Sequence, residues 1–361
     1  MTRIAVAGAG SFGRNHLRVY RELEAAGYPV ALIAALEPDS ARAAEVAVQY
    51  GIPVFATPEE LLAADLHLDA ASVAVPTVHH HAVACALLEG GLDLLVEKPI
   101  AATLAQADEL VALSEKHNRI LQPGHLERFN PAVLAVQPQL RRPMFFEAHR
   151  LSVFTPRALD VDVVLDLMIH DLDIVLTFAN SPVREVRAVG LPILSPRVDI
   201  ANVRVEFESG CVANFTASRV STERVRKLRY FEPRRYVSID YARRDVLVIR
   251  LDGSVPAEIA AALEGGRIDP AVLAQLAASA GQSAAVPGLG PGLSFAKPQV
   301  APGEPLRLEL EAFLQSVRER TAPQVTARQG RNALALALEI EASMAAHAER
   351  AGLKDFFEPG A

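Results

Sequence analysis

The chain has 361 residues, of which 50% are hydrophobic and 22% are charged, a composition that suits two globular domains and excludes a disordered chain. Its formal net charge of −7 argues against binding to nucleic acid or docking on an anionic membrane. Two cysteines without a CxxC pair exclude a disulfide framework and a cysteine zinc site. Because we find no signal peptide and no apolar run of membrane-spanning length, we expect a cytoplasmic protein.

Residues 1–123 alternate between short apolar strands and helical patterns. Strands are predicted at 4–7, 30–36, 70–75 and 92–96, and helices at 14–26, 39–50, 58–64, 78–89 and 103–118, the last with Thr103 as N-cap. This alternation predicts an α/β domain with a doubly wound parallel sheet that is covered on both faces. Pro123-Gly124 interrupts the pattern, and we place the domain boundary there.

Residues 124–361 have a different pattern, with consecutive strands and few helices. Strands are predicted at 143–151, 184–193, 199–208, 211–219, 225–231, 235–241 and 245–251, and helices at 160–179, 304–319 and 327–350. Short turns between the strands predict an α+β domain built on an open, mostly antiparallel sheet. An insertion at about 252–303 is rich in Ala, Gly and Pro, and we expect its second half to form a loop.

A glycine-rich turn with the pattern G-x-G-x-x-G lies at 8–13, between the first strand and the first helix. The first glycine permits a tight turn, the second lets a pyrophosphate approach the helix N-terminus, and the third allows close packing of helix on strand. Glu37 follows the second strand, where its carboxylate would bind ribose hydroxyls and repel a 2′-phosphate. The pattern predicts a Rossmann domain that binds NAD in preference to NADP, through Gly8, Gly10, Ser11, Phe12, Gly13 and Glu37.

Glu97 and Lys98 follow the strand at 92–96, at the edge where parallel α/β sheets bind their ligands. Pro99 restricts the backbone around the lysine. We therefore expect Glu97 and Lys98 to lie beside the cofactor, with Lys98 placed to take part in the chemistry.

Three adjacent histidines, at 79–81, come soon after the strand at 70–75. Adjacent side chains point in different directions in a helix or a strand, so the three cannot all face one metal ion. We expect no metal site here. We expect instead that Pro76, Thr77 and His80 contact the cofactor.

Acidic and histidine side chains interrupt the otherwise apolar helix at 160–179. Asp166, His170 and Asp173 are spaced to share one helical face, and charges in so apolar a helix are costly unless they are paired or functional. Because histidine ordinarily titrates near neutral pH, His170 could act as a general base that Asp166 orients. A structural Asp–His pair between helix and sheet, or a metal site, is the alternative.

Together these segments resemble one family, the Gfo/Idh/MocA oxidoreductases, over nearly the whole chain. The matching segments are the glycine-rich turn, residues 75–80, Glu97-Lys98-Pro99, Arg128-Phe129-Asn130-Pro131, and Asp166 with His170. The resemblance implies a Rossmann domain, an often cis Lys–Pro bond, and a second domain whose open sheet forms a homodimer or homotetramer. Lys98, Asp166 and His170 match the family's catalytic positions, and His80 matches a histidine of its Pro-x-x-x-His loop. Thr77 departs from the family, because asparagine is common there.

A narrower resemblance, to the UDP-N-acetylglucosamine 3-dehydrogenase branch of that family, is carried by residues 124–133, 225–232 and 236–241. That branch makes a 3-keto sugar nucleotide for lipid A-type amino sugar synthesis. Basic residues cluster at 219–229, and arginine forks suit a nucleotide diphosphate, although a solvated sheet edge or an oligomer contact would also use them. The predicted substrate-binding residues are His125, Arg128, Asp173, Arg219, Arg224 and Arg226.

The leading hypothesis is an NAD-dependent dehydrogenase that oxidises a secondary hydroxyl of a sugar nucleotide such as UDP-N-acetylglucosamine. Either Lys98 or His170 would take the hydroxyl proton, and the sequence leaves open which one does. A catabolic dehydrogenase of polyols, inositol or free sugars is a second hypothesis, and a non-catalytic dinucleotide-dependent sensor is a third. The joint presence of Lys98, Asp166 and His170 argues against the sensor.

Overall fold

The computed structural model describes residues 1–155, 161–251 and 293–353. The chain divides into two compact units: the first unit is Met1–Phe129 with Gly303–Leu336, and the second unit is Asn130–Pro302 with Ala337–Ala361. The sequence pattern places a single boundary after residue 123, whereas the structure returns a late segment of the chain to the first unit. Within the described ranges, no helix is both long enough and apolar enough to span a membrane.

The first unit contains a six-stranded parallel sheet in the order β3-β2-β1-β4-β5-β6. Its strands are β1 (Thr2–Ala7), β2 (Val30–Leu36), β3 (Val54–Phe55), β4 (Ala70–Val73), β5 (Asp93–Glu97) and β6 (Leu121–Gly124). The helices between them are α1 (Ser11–Ala25), α2 (Ser40–Tyr50), α3 (Pro58–Ala63), α4 (Thr77–Glu89) and α5 (Leu104–Lys116). The predicted doubly wound parallel sheet is confirmed, and its strand order reverses between β1 and β4, where such sheets bind their ligands.

Side-chain caps fix the starts of three of these helices. Asp39, Thr57 and Thr103 each accept a hydrogen bond from the backbone N–H three residues further along. Such a cap satisfies one of the N–H groups that a helix start leaves without a partner. The prediction of Thr103 as an N-cap is confirmed.

Helix α8 (Pro305–Glu319) explains why the late segment belongs to the first unit. Its buried face includes Leu310, Phe313 and Leu314, which pack in one core cluster with Leu17 of α1. Burying each such side chain contributes roughly 1.5–3 kcal/mol, so this face favours the core of the first sheet. The amphipathic pattern predicts the helix, but it does not tell which sheet the helix covers.

The second unit contains an eight-stranded sheet in the order β14-β13-β12-β11-β7-β10-β9-β8. Its strands are β7 (Phe145–Leu151), β8 (Val183–Leu191), β9 (Ile200–Phe207), β10 (Val212–Ser218), β11 (Val225–Glu232), β12 (Arg235–Asp240), β13 (Asp245–Leu251) and β14 (Leu293–Ala296). Only the pair β7–β10 is parallel among these described strands, so the mostly antiparallel prediction is confirmed. Most of the predicted insertion, 252–292, lies outside the described residues.

Three helices accompany these strands: α6 (Pro131–Val136), α7 (Ile169–Ala179) and α9 (Ala327–Arg350), which ends in residues of the second unit. In β7, Phe146, Ala148 and Arg150 are buried, and the residues between them are partly exposed. Strands β10 and β11 repeat this alternation. One face of the sheet therefore belongs to the core, and the other is more open.

Candidate active site

The glycine-rich turn leaves space beside the N-terminus of α1. Gly8 has a φ of +93°, and a Cβ there would lie 2.7 Å from the Ala74 carbonyl oxygen. A Cβ on Gly13 would lie 1.9 Å from the Gly8 carbonyl oxygen, so neither position accepts a side chain. A Cβ on Gly10, the N-cap residue of α1, would meet no described heavy atom within 4 Å. This open space at a helix N-terminus fits the pyrophosphate of a dinucleotide.

Glu37 follows β2 and is tied to the glycine-rich turn. Its side chain is 4% exposed, and its Oε2 accepts a hydrogen bond of 2.9 Å from the Ala9 N–H. Its Oε1 accepts bonds of 3.0 Å from the Asp39 N–H and 3.1 Å from the Arg42 guanidinium. Burial alone would raise the pKa of Glu37, but these three hydrogen bonds outweigh it and hold that pKa below its ordinary value. The carboxylate is therefore charged, as its predicted role at the ribose requires.

The other residues predicted to contact the cofactor at the starts of α1 and α4 are accessible to solvent. Ser11 and Phe12 are both exposed in the first turn of α1. Pro76 is exposed and Thr77 is half-buried at the start of α4. A ligand can therefore reach all four, and their contact with the cofactor stays a prediction.

His80 lies inside the first unit and is 1% exposed. Its Nδ1 lies 2.8 Å from the Pro99 carbonyl oxygen, and its Nε2 lies 2.8 Å from the Val75 carbonyl oxygen. Burial lowers the pKa of His80, and the two carbonyls oppose that effect without overcoming it. The ring thus connects the segment after β4 with the turn after β5, while its predicted cofactor contact stays a prediction.

Lys98 follows β5 with a half-buried side chain, and the Lys98–Pro99 peptide bond is cis, as the family resemblance implies. The preceding Glu97 is 6% exposed, and its Oε1 lies 2.9 Å from Nε2 of His16 in α1. Sequence reasoning missed His16, which is fully buried. The available signal was a polar side chain three residues after Gly13, on the helix face that packs against the sheet.

His125 and Arg128, predicted to bind substrate, are buried in the first unit. They are 1% and 2% exposed, and Arg128 belongs to a 3₁₀ helix at Leu126–Phe129. Helix α8 packs against this 3₁₀ helix, and a Cβ on Gly330 would lie only 2.4 Å from Pro123. The segment is therefore tightly enclosed, and substrate contact by either residue stays a prediction.

The helix predicted at 160–179 begins, among its described residues, with a π-helical turn at Val164–Met168 before it continues as α7. Asp166 lies in the π turn and His170 in the first turn of α7, and both are half-buried. Asp173 is 2% exposed. Because a π turn is wider than an α turn, the shared face expected for a continuous α-helix is altered. Such turns are frequent at functional sites.

A buried ion pair connects α7 to the sheet of the second unit. Asp171 follows His170 and accepts two hydrogen bonds from Arg150 of β7, of 2.7 Å from Nε and 3.0 Å from Nη2. The Arg150 guanidinium also lies 5.1 Å from the centre of the Tyr241 ring. Bidentate pairing is directional, so it orients α7 and with it His170. Sequence reasoning missed this pair because its members belong to different elements.

Arg219, predicted to bind the substrate diphosphate, is a buried residue of the second unit. It is 4% exposed, its Nε lies 3.3 Å from Oδ1 of Asp199, and it donates a 3.2 Å hydrogen bond to the Val198 carbonyl. Asp199 is itself fully buried and accepts hydrogen bonds from the N–H groups of residues 193–195. Burial would raise the pKa of Asp199, but the Ser195 hydroxyl and these amides hold it below its ordinary value. Arg219 thus has partners inside the second unit, and its contact with substrate stays a prediction.

Arg224 and Arg226, by contrast, are exposed. Side chains alternate along a strand, so Arg226 shares a face of β11 with the buried Leu228. Lys227 lies on the opposite face, where its Nζ is 3.8 Å from Oδ2 of Asp240. Arg224 and Arg226 are therefore the predicted diphosphate-binding residues that remain accessible.

Among the described residues, one group of three possible metal ligands lies close together: His81 and Cys85 of α4 with Glu109 of α5. The His81 Nε2 lies 2.8 Å from a Glu109 carboxylate oxygen and 3.5 Å from the Cys85 sulfur. Nitrogen and oxygen ligands of a tetrahedral zinc ion are about 3.3 Å apart, so the shorter distance is that of a direct hydrogen bond. Burial raises the pKa of Cys85 to about 11, which disfavours the thiolate. A hydrogen-bonded pair accounts for this group.

Comparison with known proteins identifies the family. Residues 2–125 match the model of the oxidoreductase family with an NAD-binding Rossmann fold, and residues 132–233 match the GFO/IDH/MocA C-terminal domain. The chain is 31% identical over 349 residues to the UDP-N-acetylglucosamine 3-dehydrogenase of Acidithiobacillus ferrooxidans, covering 96% of this chain and 99% of that protein. The chain belongs to the GFO/IDH/MocA oxidoreductase family.

Within the GFO/IDH/MocA family, similarity extends to solved structures. A structure of the Acidithiobacillus ferrooxidans enzyme aligns with a TM-score of 0.80 at 29% identity and covers 99% of both chains. An inositol 2-dehydrogenase of Acidothermus cellulolyticus is 29% identical over 194 residues, covering 52% of this chain and 56% of that protein. The chain is thus an oxidoreductase whose N-terminal domain is an NAD-binding Rossmann fold, as predicted.

Proposed function

We propose that the protein is an NAD-dependent dehydrogenase that oxidises the C3 hydroxyl of UDP-N-acetylglucosamine, for lipid A-type amino sugar synthesis. The similarity to a UDP-N-acetylglucosamine 3-dehydrogenase over 96% of the chain carries this proposal. The inositol dehydrogenase similarity covers only about half of the chain, so it supports the shared oxidoreductase chemistry more than an inositol substrate.

The first unit has the features that NAD requires. The open space at Gly10 fits the pyrophosphate, and the charged Glu37 is placed after β2 for the adenosine ribose. Bound NAD supplies the hydride acceptor for oxidation of a secondary alcohol. We expect tighter binding of NAD than of NADP, because the Glu37 carboxylate would repel a 2′-phosphate. Titration of NADH and NADPH fluorescence tests this preference, and tighter NADPH binding would point to Arg42, which is exposed beside Glu37.

Each unit contributes a candidate for the proton transfer. We assign removal of the hydroxyl proton to Lys98 or His170. Asp166 would orient His170 or bind a substrate hydroxyl. The Arg150–Asp171 pair supports this assignment for the second unit, because it fixes the helix that carries His170.

A substrate panel tests the proposed function directly. Purified protein with NAD would be given UDP-N-acetylglucosamine, N-acetylglucosamine, UDP-glucose and myo-inositol, and NADH formation would be followed by fluorescence. We expect the highest kcat/KM for UDP-N-acetylglucosamine, with a 3-keto product identified by mass spectrometry and NMR. Equal or greater efficiency with free sugars or inositol would replace this proposal with the catabolic one.

We also propose that the open face of the second sheet forms a homodimer or homotetramer. Phe231 on this face lies 5.4 Å from the Phe145 ring and 5.1 Å from the Tyr236 ring, measured between ring centres. Such a cluster of partly exposed aromatic side chains is typical of an interface. Light scattering of the wild type and of Phe231→Arg tests the idea, and a monomeric wild type would disprove it.

A further inference from the structure

Two buried histidines contact the residues on either side of Lys98. The fully buried His16 of α1 has its Nε2 2.9 Å from Oε1 of Glu97. His80 of α4 has its Nδ1 2.8 Å from the carbonyl oxygen of Pro99. The side chain of the residue before Lys98 is thus contacted from one helix, and the backbone of the residue after it from another.

The Glu97 carboxylate is enclosed as well as hydrogen-bonded. Its Oε2 accepts a 3.3 Å hydrogen bond from the Lys98 N–H. A Cβ on Gly124 would lie 2.9 Å from the carboxyl carbon, so the β6 backbone packs directly against this group. A buried carboxylate is costly unless it receives hydrogen bonds, and the His16 Nε2 lies at hydrogen-bond distance from Oε1, where its N–H tautomer would donate. His16 thereby fixes the position of Glu97.

Among the described residues, the His16 ring makes one polar contact, that of its Nε2 with the Glu97 carboxylate. Its Nδ1 is buried, and no hydrogen-bond partner for it is found in the described part of the chain. The ring otherwise packs against Phe12 and Tyr20, at 5.6 Å and 6.5 Å between ring centres. Phe12 belongs to the glycine-rich turn, so His16 connects the turn that fits the cofactor with the strand end that carries Lys98.

We propose that His16 and His80 are positioning residues that set the placement of the Lys98 side chain through Glu97 and Pro99. His80 completes the arrangement from α4, because its Nε2 lies 2.8 Å from the Val75 carbonyl at the end of the neighbouring β4 segment. Helices α1 and α4, together with the ends of β4 and β5, therefore define the position of Lys98. The inference depends on the proposed function only where turnover is the readout.

The principal test measures Lys98 without any substrate. Wild type, His16→Phe, His16→Gln and His80→Phe would be labelled with an amine-reactive reagent over a range of pH, and Lys98 would be quantified by peptide mass spectrometry. Lys116, exposed at the end of α5, is the internal reference. We expect the Lys98 labelling rate to change about threefold or more in both Phe variants, a shift equivalent to roughly half a pH unit, with Lys116 unchanged.

Turnover gives the second readout. We expect kcat for UDP-N-acetylglucosamine to fall about 10- to 100-fold in the Phe variants, because small misplacements of a reacting group have effects of this size. NADH affinity should stay near that of the wild type in His16→Phe, whereas His80 is itself a predicted cofactor contact and its variant is judged by Lys98 labelling. His16→Gln keeps an N–H donor of similar reach and should restore most of the loss in both readouts.

A matched control is available on the surface of the same unit. His67 lies 3.3 Å from Asp65, and both side chains are at least 80% exposed. His67→Phe removes a histidine–carboxylate contact of the same chemistry and should leave Lys98 labelling, NADH affinity and kcat unchanged. An effect as large as that of His16→Phe would overturn the proposal.

Unchanged Lys98 labelling in folded His16→Phe and His80→Phe would also overturn it, whatever happens to kcat. If His16→Phe does not fold, the test uses His16→Gln and Glu97→Gln instead. Normal Lys98 labelling in His16→Gln together with altered Lys98 labelling in Glu97→Gln supports the proposal. Normal labelling in both overturns it. If the wild type does not oxidise UDP-N-acetylglucosamine, the proposed function fails, yet the labelling comparison still decides the role of the histidines.

Discussion

The glycine-rich turn of the first unit and the basic segment of the second unit are equally prominent in the sequence, but the structure uses them differently. At the turn, Gly8 and Gly13 have no room for a side chain and Gly10 has open space, as the pattern predicts. In the basic segment, Arg219 pairs internally with Asp199, while Arg226 remains exposed. A turn is defined by the conformation of a few adjacent residues, whereas the role of a charged strand residue depends on a partner far away in the chain.

The largest effects should come from replacing the catalytic candidates, one in each unit. We expect Lys98→Ala and His170→Ala each to lower kcat by roughly 10²- to 10⁴-fold, the usual contribution of general acid–base catalysis. The affinity for NADH, measured by fluorescence titration, should change little. Near-normal turnover in both variants would remove the catalytic assignment, and an unfolded His170→Ala would favour a structural Asp–His pair.

The contrast within the basic segment predicts opposite phenotypes for two arginines. Arg219→Met should destabilise the protein by about 3 kcal/mol in urea unfolding, because it leaves the buried Asp199 without its ionic partner. Arg226→Met should leave stability unchanged within about 0.5 kcal/mol.

If Arg226 binds the diphosphate, its replacement should raise KM for UDP-N-acetylglucosamine about 10- to 100-fold, equivalent to the roughly 1.5–3 kcal/mol of a charge-assisted hydrogen bond. Lys227→Met, on the opposite face of β11, is the matched control and should leave KM unchanged. A normal KM for both Arg226→Met and Arg224→Met would exclude this segment as the diphosphate site.

Substitutions at two glycines of the turn should affect different properties, the stability of the fold at Gly13 and cofactor binding at Gly10. Gly13→Ala places a Cβ against the Gly8 carbonyl and should destabilise the fold by about 1–3 kcal/mol. Gly10 has a φ of −66°, which alanine adopts freely, so Gly10→Ala should unfold like the wild type but bind NADH more weakly. Thermal unfolding and NADH titration measure both quantities, and unchanged NADH affinity in Gly10→Ala would contradict the pyrophosphate site.

The smallest expected effect concerns acid stability, to which one carboxylate in each unit contributes. The pKa values of the Glu37 and Asp199 carboxyl groups lie below their ordinary values. Each group therefore stabilises the fold at pH values above the ordinary carboxyl range, and this contribution is lost as the pH falls through the lowered pKa. Asp199→Asn and Glu37→Gln should therefore lower stability at neutral pH and flatten its decline in acid. Urea midpoints measured from neutral to acidic pH test this, and parallel curves for wild type and variants would contradict it.

Much of the fold could be predicted because its signals are local. Apolar strands, amphipathic helices and the cap at Thr103 depend on neighbouring residues, and their predicted positions agree with the structure to within a few residues. In the candidate site, the sequence predicted those residues that directly follow a strand, such as Glu37 after β2 and Lys98 after β5. His16 and Arg150 were missed, because the role of each depends on a partner in another element.

By itself, the sequence determined a Rossmann domain followed by an α+β domain, because hydrophobic periodicity and glycine spacing specify elements and turns locally. Only the tertiary structure decided that α8 packs on the core of the first unit, that Arg219 is internal, and that His16 and His80 hold the residues around Lys98. These three features depend on which helix and sheet surfaces come into contact when the chain folds. An apolar face or a charged side chain has no preference for one distant partner until the chain brings that partner within van der Waals or hydrogen-bond distance.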